Sequence, residues 1–141
     1  MSKEKDPIWV NRAEEIFEQM KKMRDAGKLS ISEITYHVMM NVYGKSSNKD
    51  GAQKAEELLR GMQEDGASPN SISYNICIDA YARRALHHGS VRKAESFLDE
   101  LISLSNQGNK ECQPTIHTFA SVVSSLLAIL RAFSYTVSKI N

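Results

Sequence analysis

Little in this chain could cross-link it, hold a metal or give it a net field. Only two cysteines, Cys77 and Cys112, occur in 141 residues. That is too few for a disulfide framework, and a reducing compartment is the easy reading. Eighteen basic residues against seventeen acidic ones leave a formal charge of +1. No global field therefore draws the chain to nucleic acid or to a membrane surface, and electrostatic binding requires a local patch. The first residues, Ser2 to Asp6, mix lysine with acids and lack an apolar run, so no targeting peptide is evident. A glycine-rich phosphate loop, a His-Glu helix motif and a nucleophile elbow are all absent. No catalytic residue and no cofactor is expected. Cys112 and His117 lie across a loop and a helix start without paired ligands at zinc spacing, so no metal site is expected either. The chain length suits one domain with a moderate core.

What the chain does have is recurrence. Ile34-Thr35-Tyr36 opens an apolar run ending at Tyr43-Gly44-Lys45, and Ile72-Ser73-Tyr74 opens another ending at Tyr81-Ala82-Arg83. Thr118-Phe119 with Val122, Val123 and Leu126 repeats the pattern in part. Between these lie matching segments, Ala13 to Met20, Ala55 to Met62 and Ala94 to Leu101. Pro69 and Pro114 each stand five residues before an aromatic, Tyr74 and Phe119. Spacings of 38 residues from Tyr36 to Tyr74 and 45 from Tyr74 to Phe119 are those of stacked helical hairpins. Such arrays work through a long face rather than a pocket, which favours binding over catalysis.

Helical periodicity and turn chemistry divide the chain into six segments. Asp6-Pro7 opens the first, whose apolar face is Val10, Ala13, Ile16, Phe17, Met20 and Met23, and Gly27 ends it. The second covers about Ile34 to Lys45, burying Tyr36, Met39, Met40, Val42 and Tyr43. Asp50 with Gln53 resembles a capping box for the third, whose inner face is Ala52, Ala55, Leu58, Leu59 and Met62. Ile72 to Arg84 forms the fourth, Val91 to Leu104 the fifth, and Thr115 begins the sixth. The last stretch, Phe119 to Val137, is apolar apart from Arg131 and is rich in serine. A helix built for burial under a following repeat explains it better than a membrane span.

These residues resemble the pentatricopeptide repeat family, whose unit is a helix-turn-helix of about 35 residues. The closest fragment is Gly66-Ala67-Ser68-Pro69-Asn70-Ser71-Ile72-Ser73-Tyr74-Asn75. The resemblance implies an all-α fold, a right-handed α-α superhelix (alpha solenoid) of stacked helix-turn-helix repeats. Its divisions would be a partial repeat over 1–32, whole repeats over 33–70 and 71–115, and a partial repeat with a divergent apolar tail over 116–141. Both whole units are longer than the family's, near Ser46 to Asn48 in one and near Ala85 to His88 and Asn106 to Gln113 in the other.

The family binds single-stranded RNA at about one base per repeat. Carried over by position, the base-reading residues are Asn75 with Thr115 and His37 with Asn70. Ile34 and Ile72 are the base-stacking residues, and Lys45 and Arg83 the phosphate contacts. An amide at Asn75 both donates and accepts, and by similarity leans toward a pyrimidine. In the third unit the matching residues are His117, Ala120 and Ala128, which suit no base or phosphate. The first helices lean positive, counting Lys45, Arg83 and Arg84, and the second helices negative. The expected activity is thus non-catalytic RNA binding in processing, stability or translation. Expected partners are single-stranded RNA and other protein subunits or a longer repeat array, with no membrane. Mitochondrion or chloroplast is the compartment the resemblance implies. The alternative is a helical-repeat scaffold for protein–protein interaction, which the near-neutral charge favours. A membrane-tethered adaptor held by Phe119 to Val137 is a third reading. Two whole units address about two bases, and stacking adds only about 1–3 kcal/mol for each. Sequence-selective binding then needs a longer array or a partner.

Overall fold

Six helices account for the regular structure in the computed structural model, which describes residues 6–141. They are α1 (Asp6–Asp25), α2 (Glu33–Lys45), α3 (Gly51–Glu64), α4 (Ser71–Ala82), α5 (Ser90–Asn106) and α6 (Ile116–Ile140). Ser2 to Lys5, on which most of the reading against a targeting peptide rests, lie outside the described residues.

The helices pair and stack as a helical-hairpin solenoid. α2 packs on α3 and α4 on α5, while α2, α4 and α6 lie side by side as an inner row. Where α2 meets α4 the backbones come close: a Cβ at Gly44 would stand 3.1 Å from that of Ala80. The outer helices α1, α3 and α5 are joined instead by long side chains. Because α4 has neighbours on both sides, it buries Tyr74, Ile76, Cys77, Ile78, Ala80 and Tyr81. These form one core with Met40, Leu59, Ala94, Phe97, Leu101 and Val122. A smaller core joins Phe17, Tyr36, Met39 and Met62. Burying such side chains contributes roughly 1.5–3 kcal/mol each, so stacking rather than helix propensity holds the array together.

Several expectations need correction. On the first helix Val10 and Phe17 are buried, but Ile16 and Met23 are exposed, because neighbours cover only the side of α1 that faces α2 and α3. Val42 and Tyr43 are half-buried. Asp50 precedes α3 without capping it by its side chain. Its backbone is not extended (φ −90°, ψ 4°), its carboxylate lies 3.9 Å from Lys54, and Gln53 donates to Glu57 instead.

The fourth helix stops at Ala82, and Arg84 turns inward. Its guanidinium donates to the carbonyls of Gly44 (2.9 Å), Ala80 (2.9 Å), Ser46 (2.8 Å) and Asn48 (3.0 and 3.1 Å). Tyr43 also accepts from it at 3.3 Å. Apart from Ala80, which lies on α4 itself, these carbonyls sit at the end of α2 and in the turn that makes the unit too long. One buried cation therefore folds the inserted turn, and Arg84 is not the surface charge that the sequence suggested. Gly51 faces it closely: a Cβ there would lie 2.2 Å from the guanidinium and 2.4 Å from the carbonyl oxygen of Tyr43.

The other long loop is likewise tied down. Ser71 donates its N–H to the carbonyl of Glu111 (2.9 Å) and accepts from the N–H of Gln113 (2.8 Å), while buried Cys112 reaches the carbonyl of Pro69. The loop before α6 thus folds back onto the start of α4.

In α6 only Thr118, Val122 and Ser125 are buried. The helix is long and apolar enough to cross a membrane, and most of its apolar side chains are exposed.

Candidate nucleic-acid interface

The inner row presents residues from the first turns of α2, α4 and α6, and capping chemistry sets their positions. Asn70 caps α4: its Oδ1 accepts from the Ser73 N–H (3.1 Å), and Ser73 Oγ accepts from the Asn70 N–H (3.1 Å). Thr115 and Thr118 form the same reciprocal box at the start of α6, at 3.3 and 2.9 Å. Two orphan donors are satisfied at each end, a stabilisation of about 1 kcal/mol per cap.

Each box also catches a side chain from the preceding inner helix. His37 Nε2 lies 2.7 Å from Ser73 Oγ, and Asn75 Oδ1 accepts from the Thr118 hydroxyl at 2.6 Å. The residue pairs singled out from the sequence, His37 with Asn70 and Asn75 with Thr115, are therefore brought together, each through one hydroxyl. His37 thus engages one ring nitrogen, Nε2, against Ser73 Oγ, and leaves Nδ1 over. Partial burial, offset in part by Glu33, holds the His37 pKa below its ordinary value, so the ring is neutral at pH 7. At Asn75 the carbonyl end is engaged and no group among the described residues takes the amide NH2. Asn70 and Thr115, by contrast, use their acceptor oxygens in capping.

Ile34 is 72% exposed and Ile72 57% exposed, although both are large aliphatic residues on otherwise well-packed helices. Lys45 lies eleven residues after Ile34, and Arg83 eleven after Ile72. Eleven residues is close to three helical turns, so each cation sits on the same side of its helix as the isoleucine. Both are exposed, and neither makes an ion pair among the described residues. In the third position His117 is bound to Asp79 Oδ2 at 2.9 Å, and Ser121 donates to the other oxygen of that carboxylate. With Arg83 and Ala120 they line a shallow depression between α4 and α6. Ala120 is exposed and Ala128 half-buried, and neither carries a polar group.

The opposite side follows another rule, which the sequence reading missed. Tyr43 donates to Glu14 (2.8 Å), which also accepts from Lys54 (3.1 Å). One unit later Tyr81 donates to Glu56, which accepts from Lys93 (3.1 Å). Tyr36 donates to Asp65, which is held by Arg24, and Tyr74 donates to Glu100, which takes a two-pronged contact from Arg60 at 2.7 and 2.9 Å. The acids of the outer helices are thus braces between successive hairpins. The tyrosine bonds hold Glu14 and Asp65 below their ordinary pKa, and the Arg60 bond does so for Glu100. Burial, with the acid beside it, pushes Tyr36 up to about 12. The only signal available was the recurrence of Glu14 at Glu56 and of Lys54 at Lys93, in step with Tyr43 and Tyr81.

A model of the PPR repeat family matches residues 31–83, and a PPR repeat model matches residues 72–105. Together they span more than half of the chain. The chain belongs to the pentatricopeptide repeat family. Members of this family are helical-repeat proteins that generally bind single-stranded RNA and are generally non-catalytic. No curated protein gives a match to the chain. The matched residues hold α2 to α4 and nearly all of α5, so both capping relays of this pentatricopeptide array begin within them, at His37 and at Asn75.

Proposed function

We propose that this pentatricopeptide array binds single-stranded RNA along its inner row, without catalysis of its own. Units 33–70 and 71–115 each address one base, between the partial units 1–32 and 116–141. The observation that carries the reading is the doubled relay, His37–Ser73–Asn70 and Asn75–Thr118–Thr115. It fixes a polar edge-reading group in each unit while leaving the Asn75 amide and one His37 nitrogen unused. Ile34 and Ile72 flank these groups as exposed apolar plates, suited to stacking on base faces of any identity. Lys45 and Arg83 stand where a strand following the row would carry its phosphates. Processing, stability or translation of organellar RNA, in mitochondrion or chloroplast, is proposed from family habit alone.

A titration of short pyrimidine-rich RNA tests this, comparing the parent chain with Asn75→Ala plus Arg83→Ala. Losing a base-edge hydrogen bond costs about 1 kcal/mol, several-fold in affinity. Losing one phosphate contact lowers the salt slope by about 0.7. Unchanged affinity and unchanged slope would remove the inner row as the binding face. The scaffold reading draws on a different observation, the bare apolar side of α6. It predicts indifference to RNA in the parent as well.

A further inference from the structure

The exposed side of α6 is more ordered than an unfinished core. Ile116, Phe119, Val123, Leu126, Leu130, Phe133, Val137 and Ile140 are all large, apolar and exposed. Their spacing alternates three and four residues without a break from one end of the helix to the other. That is the seam of a coiled coil, about three heptads long. On α2 and α4 the residues matching Phe119, Val123 and Leu126 are Tyr36, Met40 and Tyr43, and Tyr74, Ile78 and Tyr81. There an antiparallel outer helix covers them.

We propose that a second copy of this chain covers the seam, α6 lying antiparallel on its counterpart about a two-fold axis near Ala128. In that register Ile116 meets Ile140 of the other copy, Phe119 meets Val137, Val123 meets Phe133 and Leu126 meets Leu130. Every layer pairs either two residues of equal size or one large with one small, so the seam fills evenly against itself. A parallel pairing would instead stack Phe on Phe and Val on Val. The positions flanking the seam, Ala120, Val122, Leu127, Ile129, Ser134 and Thr136, carry no charge. Nothing there repels a copy, and nothing selects a differently charged partner. A stable interface buries about 800 Å² per partner, and eight large side chains each at least 40% exposed supply area on that order. A lipid bilayer suits the helix less well. Its first turns are held in the fold by Thr118, Ser121, Val122 and Ser125, and Arg131 lies midway along the remainder.

Sedimentation equilibrium of the whole chain, with and without lipid vesicles, tests the proposal. The expected mass is twice 15.8 kDa, with no partition into vesicles. Leu130→Glu should weaken the dimer by at least about tenfold by burying an unpaired carboxylate. Leu130 is exposed in the monomer, so circular dichroism should show the fold intact. Val123→Phe alone should also weaken the dimer, since it creates two Phe–Phe layers, and adding Phe133→Val should restore it. Mixing Phe119→Cys with Val137→Cys chains, in which the native Cys77 and Cys112 are buried, should give a disulfide that Phe119→Cys alone does not. A monomer at all concentrations, recovery of the chain in vesicles, or failure of the double variant to restore association would each overturn it.

Discussion

The two sides of this solenoid join the same hairpins by different chemistry. On the outer side every polar group that bridges units is spent: tyrosine, carboxylate and cation close on one another at Glu14, Glu56, Asp65 and Glu100. On the inner side, apart from Asp79, which His117 and Ser121 close, the bridges run through the helix caps and stop short. The Asn75 amide and one nitrogen of His37 are left over, beside isoleucines that no neighbour covers. A surface whose bridges are complete serves stability. One that keeps oriented donors and acceptors in reserve is prepared for a ligand.

The largest expected effect lies where the rows are tied together, at Arg84. Arg84→Leu keeps the apolar stem but leaves the carbonyls of Gly44 and Ser46 without this donor and that of Asn48 with only the Gly51 N–H, at a cost of about 3 kcal/mol. Gly51→Ala should act on the same joint by driving a methyl group into the guanidinium and the Tyr43 carbonyl. Chemical denaturation measures both. Equal stability of Arg84→Leu and the parent would mean that the inserted turn folds without its staple.

Next come the braces against the relays. Tyr74→Phe removes one hydrogen bond to Glu100 and should cost about 1 kcal/mol while leaving RNA affinity unchanged. Thr118→Val should cost a similar amount by opening the α6 cap, but it also releases Asn75 and so should weaken RNA binding. If both variants behave alike toward RNA, the two sides do not divide the work.

The smallest effect is in pH. Glu14, Asp65 and Glu100 release their protons more readily in the fold than in the unfolded chain. The unfolded chain then binds more protons at low pH, so stability should fall as pH drops through and below the ordinary carboxylate range. His37 adds a shallower loss below about 6.5, because its folded ring resists protonation. Tyr36, raised to about 12, loses its contribution above pH 10. Burial likewise raises the Cys77 and Cys112 thiols, whose contribution declines above the ordinary thiol range, so a thermal-melting series should show a plateau between about pH 7 and 8.5. Glu100→Gln should flatten the acid limb, whereas Asn75→Ala should leave it unchanged.

The helices and their pairing were legible because period and punctuation are local properties. The pairing of His37 with Asn70 and of Asn75 with Thr115 came from the resemblance: His37 and Asn75 each follow a tyrosine, and Asn70 and Thr115 each stand four residues before the next aromatic, Tyr74 and Phe119. The hydroxyls that join each pair were legible too, as Asn70 with Ser73 and Thr115 with Thr118 repeat one capping pattern, but they escaped notice. What local reading cannot reach is where a long side chain turns. Arg84 looks like any surface cation until Gly44 and Asn48, some 40 residues away, supply its acceptors. Asp50 shows the converse: a cap by composition, it fails because its backbone points the carboxylate toward Lys54.

The division between the two sides is tested most directly by following side-chain amide and methyl NMR signals as short pyrimidine-rich RNA is added. Shifts confined to the Asn75 amide and the methyls of Ile34 and Ile72, with the Tyr74 and Glu100 brace undisturbed, are the predicted result. Shifts confined to the outer helices or to Leu126 and Leu130 on α6, with Asn75 unmoved, would contradict it.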